Sequence, residues 1–285
     1  MRSLEVVSPG PHALIEDLGR PGYAHLGVAP SGALDAASLR LANRLVGNPE
    51  GFAGVEALLG GLSVRFTTSA TVAVTGPSVA VDVDGRSVGS HAPVAVRTGQ
   101  TLAVGTPAVG LRCYLAVSGG IDVEEVLGSR SRDVLSGIGP SPLSAGDVLP
   151  LGVARGVPAG ADVVVPAAAP PDLVVPVTPG PRDDWLASPA AGLSAWWTVT
   201  SESNRVGLRL DGTPLRRAEE FAETELPSEG VVTGAIQVPP SGLPVVFLAD
   251  HPTTGGYPVA AVVRTAALGA LAQARPGTRV RFRVT

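Results

Sequence analysis

Thr71-Val-Ala-Val-Thr-Gly-Pro-Ser-Val-Ala-Val-Asp-Val-Asp-Gly-Arg-Ser-Val88 carries the architecture in miniature. Two short β-branched runs, residues 71–74 and 79–83, are parted by Gly-Pro, which neither a helix nor a central strand accepts. Asp84-Gly85 then supplies two residues that tolerate positive φ, the chemistry of a two-residue hairpin turn, before residues 86–88 resume. The same grammar recurs along the chain. Its 36 glycines and 27 prolines punctuate short apolar runs, the pattern of an all-β barrel or sandwich. Residues 111–117 read as a buried strand that ends at Ser118-Gly-Gly120. Later strands are predicted at 173–177, 197–200, 231–238, 245–249 and 259–264. The tail Thr278-Arg-Val-Arg-Phe-Arg-Val-Thr285 alternates strictly and predicts a strand with one wet face.

Helix signals are few. Over residues 34–46, Leu34, Leu41, Ala42 and Leu45 share a face, with Ser31 or Gly32 as a cap and Gly47 as a stop. A second helix is predicted over 265–274, ended by Pro276-Gly277, and a short one over 122–126 before Gly128. Residues 153–172 are rich in Ala, Val, Pro and Gly with little pattern and read as a linker. The expectation is a mainly β protein in two β-rich halves, 1–155 and 173–285, joined by residues 156–172.

Composition narrows the function. With 45% hydrophobic and 16% charged residues the chain should fold, and 285 residues suffice to bury a core without disulfides. The net charge of -4 argues against nucleic-acid binding. No apolar run reaches the length of a membrane span and no leader is evident, so a cytoplasmic protein is expected. The one cysteine, Cys113, excludes an internal disulfide and reads as a core thiol. All 21 basic residues are arginines. Without lysine there is no Schiff base, no Walker A loop and no tether for biotin on this chain.

Five segments carry candidate chemistry, each with a plainer alternative. In the first, Asp17 and Arg20 either pair with each other or leave Arg20 to bind an anion, and Ser31-Gly32 opens a predicted helix. In the second, the Ser118-Gly119-Gly120 turn and the Ser129-Arg130-Ser131 loop suit a phosphate or carboxylate, or are an ordinary turn and a solvated loop. The third is Ser201-Glu-Ser-Asn204-Arg205-Val-Gly207, and the fourth runs from Ser228-Glu229 to Gln237. The fifth, Leu248-Ala-Asp250-His251-Pro-Thr253-Thr254-Gly255-Gly256-Tyr257-Pro258, packs polar side chains around bare backbone after a strand, which suits a polar or anionic ligand. Asp250 beside His251 reads as an acid/base pair or as a hydrogen-bonded turn. No His, Cys and carboxylate spacing suggests a metal site.

Taken in order, these segments resemble the signature of the family variously called biotin-dependent carboxyltransferase, allophanate hydrolase subunit 2, 5-oxoprolinase C subunit or KipA. The matching stretches are Asp17-Leu-Gly-Arg20, Ser31-Gly-Ala-Leu-Asp35, Ala42-Asn-Arg-Leu-Val-Gly-Asn48, Leu127-Gly-Ser-Arg-Ser131, Ser203-Asn-Arg-Val-Gly207, Ser228-Glu-Gly230, Gly234-Ala-Ile-Gln-Val-Pro239 and Thr253-Thr-Gly-Gly-Tyr-Pro258. Glu16 stands where Gln is usual, Pro252 where Gln is common, and Val259 where Lys is common. Gly139-Pro-Ser-Pro-Leu143 lacks a usual arginine.

The resemblance implies a cyclophilin-like β-barrel and work in a complex. Its implied activity is ATP-dependent opening of 5-oxoproline to glutamate with a KipI-like partner, the B subunit (allophanate hydrolase subunit 1), and a third protein, the A subunit. ATP is expected in the complex, on a protein that the sequence does not specify, and any biotin would arrive on another protein. The alternatives it implies are carboxyl transfer from carboxybiotin to urea or a related amide, and non-enzymatic antagonism of a KipI-like kinase inhibitor. On the lead reading, Asp250, His251 and Glu229 are catalytic. Asn204, Arg205, Ser228, Gln237, Thr253, Thr254, Gly255, Gly256 and Tyr257 bind the small-molecule substrate. Asp17, Arg20, Ser31, Ser118, Gly119, Gly120 and Arg130 form a secondary anion site.

Overall fold

The computed structural model describes residues 2–158, 164–165 and 170–285. The expected linker at 156–172 therefore lies in large part outside the described residues. The chain forms two compact units. One comprises Met1–Arg20, Ser31–Asp133 and Gly137–Ala169; the other comprises Pro21–Pro30, Val134–Ser136 and Pro170–Thr285. Mainly β structure is what the punctuated sequence predicts, and among the described residues only three α-helices appear.

In the first unit two sheets enclose one core. The six-stranded sheet includes Ser3–Pro9, Leu62–Phe66 and Thr101–Val104, and the five-stranded sheet includes His12–Glu16, Gly54–Leu58, Arg112–Val117 and Ala70–Thr75. Leu4, Val6, Val64, Phe66 and Leu102 from one sheet meet Ile15, Val55, Val72, Val74 and Leu115 from the other. This alternating inward set is what drives two sheets face to face. The hairpin of Val81–Val83 and Arg86–Val88 turns at Asp84 and Gly85, both at positive φ (50° and 80°), as the Asp-Gly pair predicts.

Arg112–Val117 is buried along its whole length. Cys113, Leu115 and Val117 face the inter-sheet core. Ala116, with Ala73, packs under Ala42, Leu45 and Val46 at the end of the helix Ala36–Leu45. A strand covered on both faces reads as a near-continuous apolar run, and this one does from Cys113 onward. Its Arg112 is accommodated by an ion pair with Glu56 (3.3 Å).

The helix starts later than its sequence suggests. Asp35, not Ser31 or Gly32, is the cap, accepting from Ser38 N–H (3.2 Å). Ser31 and Gly32 sit at φ of 53° and 92° and form the turn before it. The two asparagines of Ala42-Asn-Arg-Leu-Val-Gly-Asn48 finish it. Asn43 donates to the carbonyls of Glu50 and Phe52, and Asn48 bonds Asn43, Val117 O and Gly119 N–H. The short helix expected at 122–126 is absent. Val126 instead bridges to Ser129 across a turn with Leu127 and Gly128 at positive φ.

The second unit is a closed seven-stranded barrel. Around it run Asp172–Pro179, Val259–Val263, Ala235–Gln237, Val245–Phe247, Gly207–Asp211, Trp197–Val199 and Arg279–Val284. The first and last of these pair in parallel, Leu173 opposite Val280 and Val175 opposite Phe282, and seal the barrel. All other neighbours are antiparallel. The strand expected at 231–238 is shorter because Thr233-Gly234 makes a turn first. Thr265–Ala272 is the expected helix, and no helix of the described residues is long and apolar enough to cross a membrane.

Candidate functional site

The loop after Val245–Phe247 is held from below by charge. Asp250 is fully buried, and Arg205 meets it twice, Nε to Oδ2 at 2.8 Å and Nη2 to Oδ1 at 3.2 Å. Val134 N–H adds a third donor to Oδ2 (3.2 Å). Backbone bonds run alongside, Asp250 N–H to Arg205 O and Leu248 N–H to Val206 O. Taking a carboxylate out of water is costly, and the two-point arginine contact offsets that cost. Arg205, expected to receive a substrate anion, is instead bound to the protein's own Asp250. Asn204 is exposed, and its Oδ1 accepts from Val206 and Gly207 N–H, turning the chain so that Arg205 points inward.

His251 is also buried. Nδ1 lies 2.6 Å from Pro252 O, an acceptor only, so Nδ1 carries the proton. In the neutral ring Nε2 then accepts from the Thr233 hydroxyl at 3.1 Å. The ring stacks on Phe247, centroids 5.8 Å apart. This fixes one tautomer and one orientation.

Above this frame, Glu229–Gly230 pairs with Thr254–Gly255 in a two-stranded ladder, and Val231 N–H bonds Thr253 O. Gln237 donates to Tyr257 O (3.1 Å). A Cβ on Gly255 would stand 2.5 Å from Gln237 Nε2, so a larger residue there would have to displace that side-chain amide. The fold thus brings the fourth and fifth sequence segments together. Ser228, Thr254, Gly256 and Tyr257 reach solvent, whereas Asp250, His251 and Gln237 lie beneath.

Glu229 has a partner that sequence reading missed. Arg182 grips both its carboxylate oxygens. The hydrogen bond from Arg182, helped by its charge, holds the Glu229 carboxyl below the usual range and raises Arg182 in turn. Arg182 is placed by Pro179-Gly180-Pro181, where a Cβ on Gly180 would lie 2.1 Å from Val259 O. Pro-Gly-Pro after a strand is a legible turn; the pairing across 47 residues is not.

A cavity of about 340 Å³ opens in the same unit. Leu186, Leu215, Val238 and Pro239 supply apolar walls, and Arg217, Glu223, Thr224 and Glu225 supply polar ones. Val238 N–H bonds Pro258 O, so the end of the fifth segment abuts the cavity wall. Arg217 lies over the Trp185 ring at 5.1 Å, and Trp185 stacks on Phe221 at 4.4 Å. One Arg217 nitrogen, Nη1, donates to Phe221 O and Thr224 O. Nothing in Leu215-Arg-Arg-Ala218 marked Arg217 out beforehand.

In the other unit the residues expected to form a secondary anion site serve the protein's own groups. The Ser129–Ser131 loop does bind a carboxylate, that of Asp17. Oδ1 accepts from Ser129 Oγ, Ser131 Oγ and Gly19 N–H, and Oδ2 from Arg130 N–H, all at 2.6–2.7 Å. Asp17 and Arg20 do not pair; Arg20 donates to the carbonyls of Val126 and Ser131. Arg130 bonds Val123 O, Glu125 and Asp122. Ser118 Oγ accepts from Thr71 N–H, and the N–H groups of Gly119 and Gly120 go to Asn48 and Val117. The backbone that Gly119 admits is Gly152, whose carbonyl a Cβ would meet at 2.2 Å. Ser31 is buried in the turn ahead of the helix. Gly119 also lines a cavity of about 410 Å³ with Phe52, Asp122 and Arg155. Among the described residues no group of three His, Cys, Asp or Glu is placed to hold a metal.

A buried Glu56–Tyr114–Asp35 chain was not singled out from sequence. Tyr114 donates to Glu56 (2.8 Å) and accepts from Asp35 N–H (2.8 Å), and Glu56 accepts from Leu34 N–H. Burial, then the negative charges of Glu56 and Asp35, push the Tyr114 phenol well above its usual range.

Comparison with known proteins places this architecture. The chain is 37% identical to the 5-oxoprolinase C subunit of Escherichia coli K12 over 98% of its own length and 90% of that protein's. It is 33% identical to urea amidolyase of Saccharomyces cerevisiae, covering 98% of this chain and 16% of the larger one. Among solved structures, TTHA0988 superposes with a TM-score of 0.90 at 36% identity, over 99% of this chain and 55% of that one. The chain thus spans about half the length of that solved relative. The family model described as carboxyltransferase domain, subdomain A and B, matches residues 26–284, and the chain belongs to that carboxyltransferase-domain family.

Proposed function

We propose that this chain is one component of a bacterial ATP-dependent 5-oxoprolinase. It would act with a KipI-like B subunit and an A subunit, and the complex would open 5-oxoproline to glutamate. The observation that carries the reading is the near full-length similarity to the 5-oxoprolinase C subunit, 37% identity over 98% of one chain and 90% of the other. ATP belongs to the complex in this reading, and the absence of lysine means that no Walker A lysine comes from this chain.

The site chemistry supports a small carboxylated amide. The free donors of Arg217 would hold the substrate carboxylate, and Leu186, Leu215, Val238 and Pro239 would face the ring methylenes. Thr254 and Tyr257 would offer hydroxyls at the solvent edge. Asp250, Arg205 and His251 would act as the rigid frame of the loop rather than as proton carriers, because each is buried and engaged. Glu229, half-exposed and gripped at both oxygens by Arg182, would steady the loop in the same way, and Glu223 and Glu225 are the carboxylates that line the cavity itself.

The test is phosphate release by the chain co-expressed with homologues of the A and B subunits, with and without 5-oxoproline. Stimulated release with stoichiometric glutamate supports the reading, and an assembled complex with no turnover rejects it. A second reading has its own support in the carboxyltransferase family model and the urea amidolyase match. In that case carboxylate would pass from carboxybiotin on another protein to urea or a related amide, and turnover would require a biotin carrier.

A further inference from the structure

The strand Arg279–Val284 keeps Val280 and Phe282 in the barrel core and turns Arg279, Arg281 and Arg283 outward. Register aligns Arg279, Arg281 and Arg283 with Asp172, Val174 and Pro176 on one neighbouring strand. On the other side Trp197 lies opposite Val280, which brings Trp196 beside Arg281. The guanidinium carbons of Arg279 and Arg281 lie 4.7 and 4.9 Å from the Trp196 ring centroid. Arg279 grips Asp172. Arg281 and Arg283 have no carboxylate partner among the described residues. Exposed Val174 (44%) and Trp196 (38%) lie among these cations.

With Arg279 matched by Asp172, Arg281 and Arg283 remain as two cations without a carboxylate on successive outward positions, and the chain as a whole is acidic at -4. A concentration of arginine on one face of such a chain calls for negative charge from outside. We propose that the Arg279, Arg281 and Arg283 ladder, with Trp196, is a docking surface for a carboxylate-rich segment of the KipI-like partner protein. This rests on the reading that the chain works in a complex. Three observations support a protein partner. Arginine forks bind carboxylates two-point, whereas solvated surface charge needs no such geometry. Stacking on Trp196 orders two of the side chains beforehand, which lowers the entropy lost on binding. Arginine and tryptophan beside exposed aliphatic surface is the composition of an interface centre, with Trp196 as its anchor. Nucleic acid is the less suitable occupant, since one short ladder on an acidic protein offers little phosphate neutralisation.

The test is calorimetric titration of the purified chain with its KipI-like homologue. It compares wild type, R281E/R283E, W196A and, as a control of equal sign on the exposed hairpin, R86E. The expected result is at least about tenfold weaker binding for R281E/R283E, about threefold for W196A, and no change for R86E. Added salt should weaken the wild type and spare the double variant. If R281E/R283E fails to fold by thermal melting, R281Q/R283Q carries the same comparison. Equal binding by wild type and the folded variant overturns the docking surface while leaving the 5-oxoprolinase reading intact. Loss of binding in the variant, together with a wild-type complex that does not turn over 5-oxoproline, keeps the docking surface and overturns that reading. No binding by the wild type overturns the docking surface and the two-protein assembly alike.

Discussion

Arg205 and Asp250 form a buried two-point ion pair across 45 residues of sequence, and the 250–258 loop is mounted on it. Removing one member strands the other charge out of water. Asp250→Ala is expected to lower stability by about 3–5 kcal/mol, and Arg205→Met/Asp250→Leu by much less. Urea unfolding of the three chains checks this. A loss in Asp250→Ala below about 1 kcal/mol would mean that the pair is not the anchor.

The exposed pair Arg182–Glu229 makes a pH-dependent prediction. Because the folded-state carboxyl is held below its ordinary 4.5, its stabilising effect is present above that value. It is lost as pH falls through the lowered folded value. Wild type should therefore melt above Glu229→Gln at neutral pH, and the gap should close on acidification below 4.5. A gap that persists in acid would contradict the pairing.

Gly180 lets the chain pass against Val259 O and so aims Arg182. A methyl group 2.1 Å from a backbone carbonyl must move one strand. Gly180→Ala is expected to cost about 1–3 kcal/mol. In that background the pH-dependent effect of Glu229→Gln should also vanish, since Arg182 would no longer reach.

Asp17 is the receptor of four short donors. Asp17→Ala leaves buried hydroxyls and N–H groups unmet and is expected to cost at least about 2 kcal/mol. Hydrogen exchange should rise first at residues 129–131. Exchange unchanged there would show that the loop is held by something else.

Tyr114 stays protonated in its buried chain with Glu56 and Asp35. It should add to tyrosinate absorbance in alkali only when the protein unfolds. Tyr114→Phe should remove that late component and weaken the start of the helix Ala36–Leu45, because Asp35 N–H loses its acceptor.

The parts of the fold legible in the sequence are those that local chemistry decides. Asp84-Gly85 makes its hairpin, Arg279–Val284 alternates as written, and the largely apolar stretch around Cys113 is a strand covered on both faces. Boundaries failed where a tertiary partner overrode the local signal. Asp35 outcompetes Ser31 as cap because Tyr114 and Glu56 meet the N–H groups before the helix. Residues 122–126 form no helix, and Arg130 instead gathers Val123 O and the carboxylates of Glu125 and Asp122. The polar motifs were visible, but their partners were not. Asp17, Arg205 and Glu229 each look available in one dimension and are each engaged in three, by groups 45 to 114 residues away.

The barrel's closing strand has a consequence for how the chain is made. Arg279–Val284 seals two edges at once, against Asp172–Pro179 and Trp197–Val199, and the parallel pairing joins residues 107 apart. Until the ribosome has released that strand, both edges lie open with unpaired backbone, and no local contact can close them. Synthesis therefore passes through an interval in which intermolecular strand addition competes with barrel closure. Slower translation or lower growth temperature should favour soluble product, and deletion of the closing strand should yield aggregate rather than a smaller folded domain.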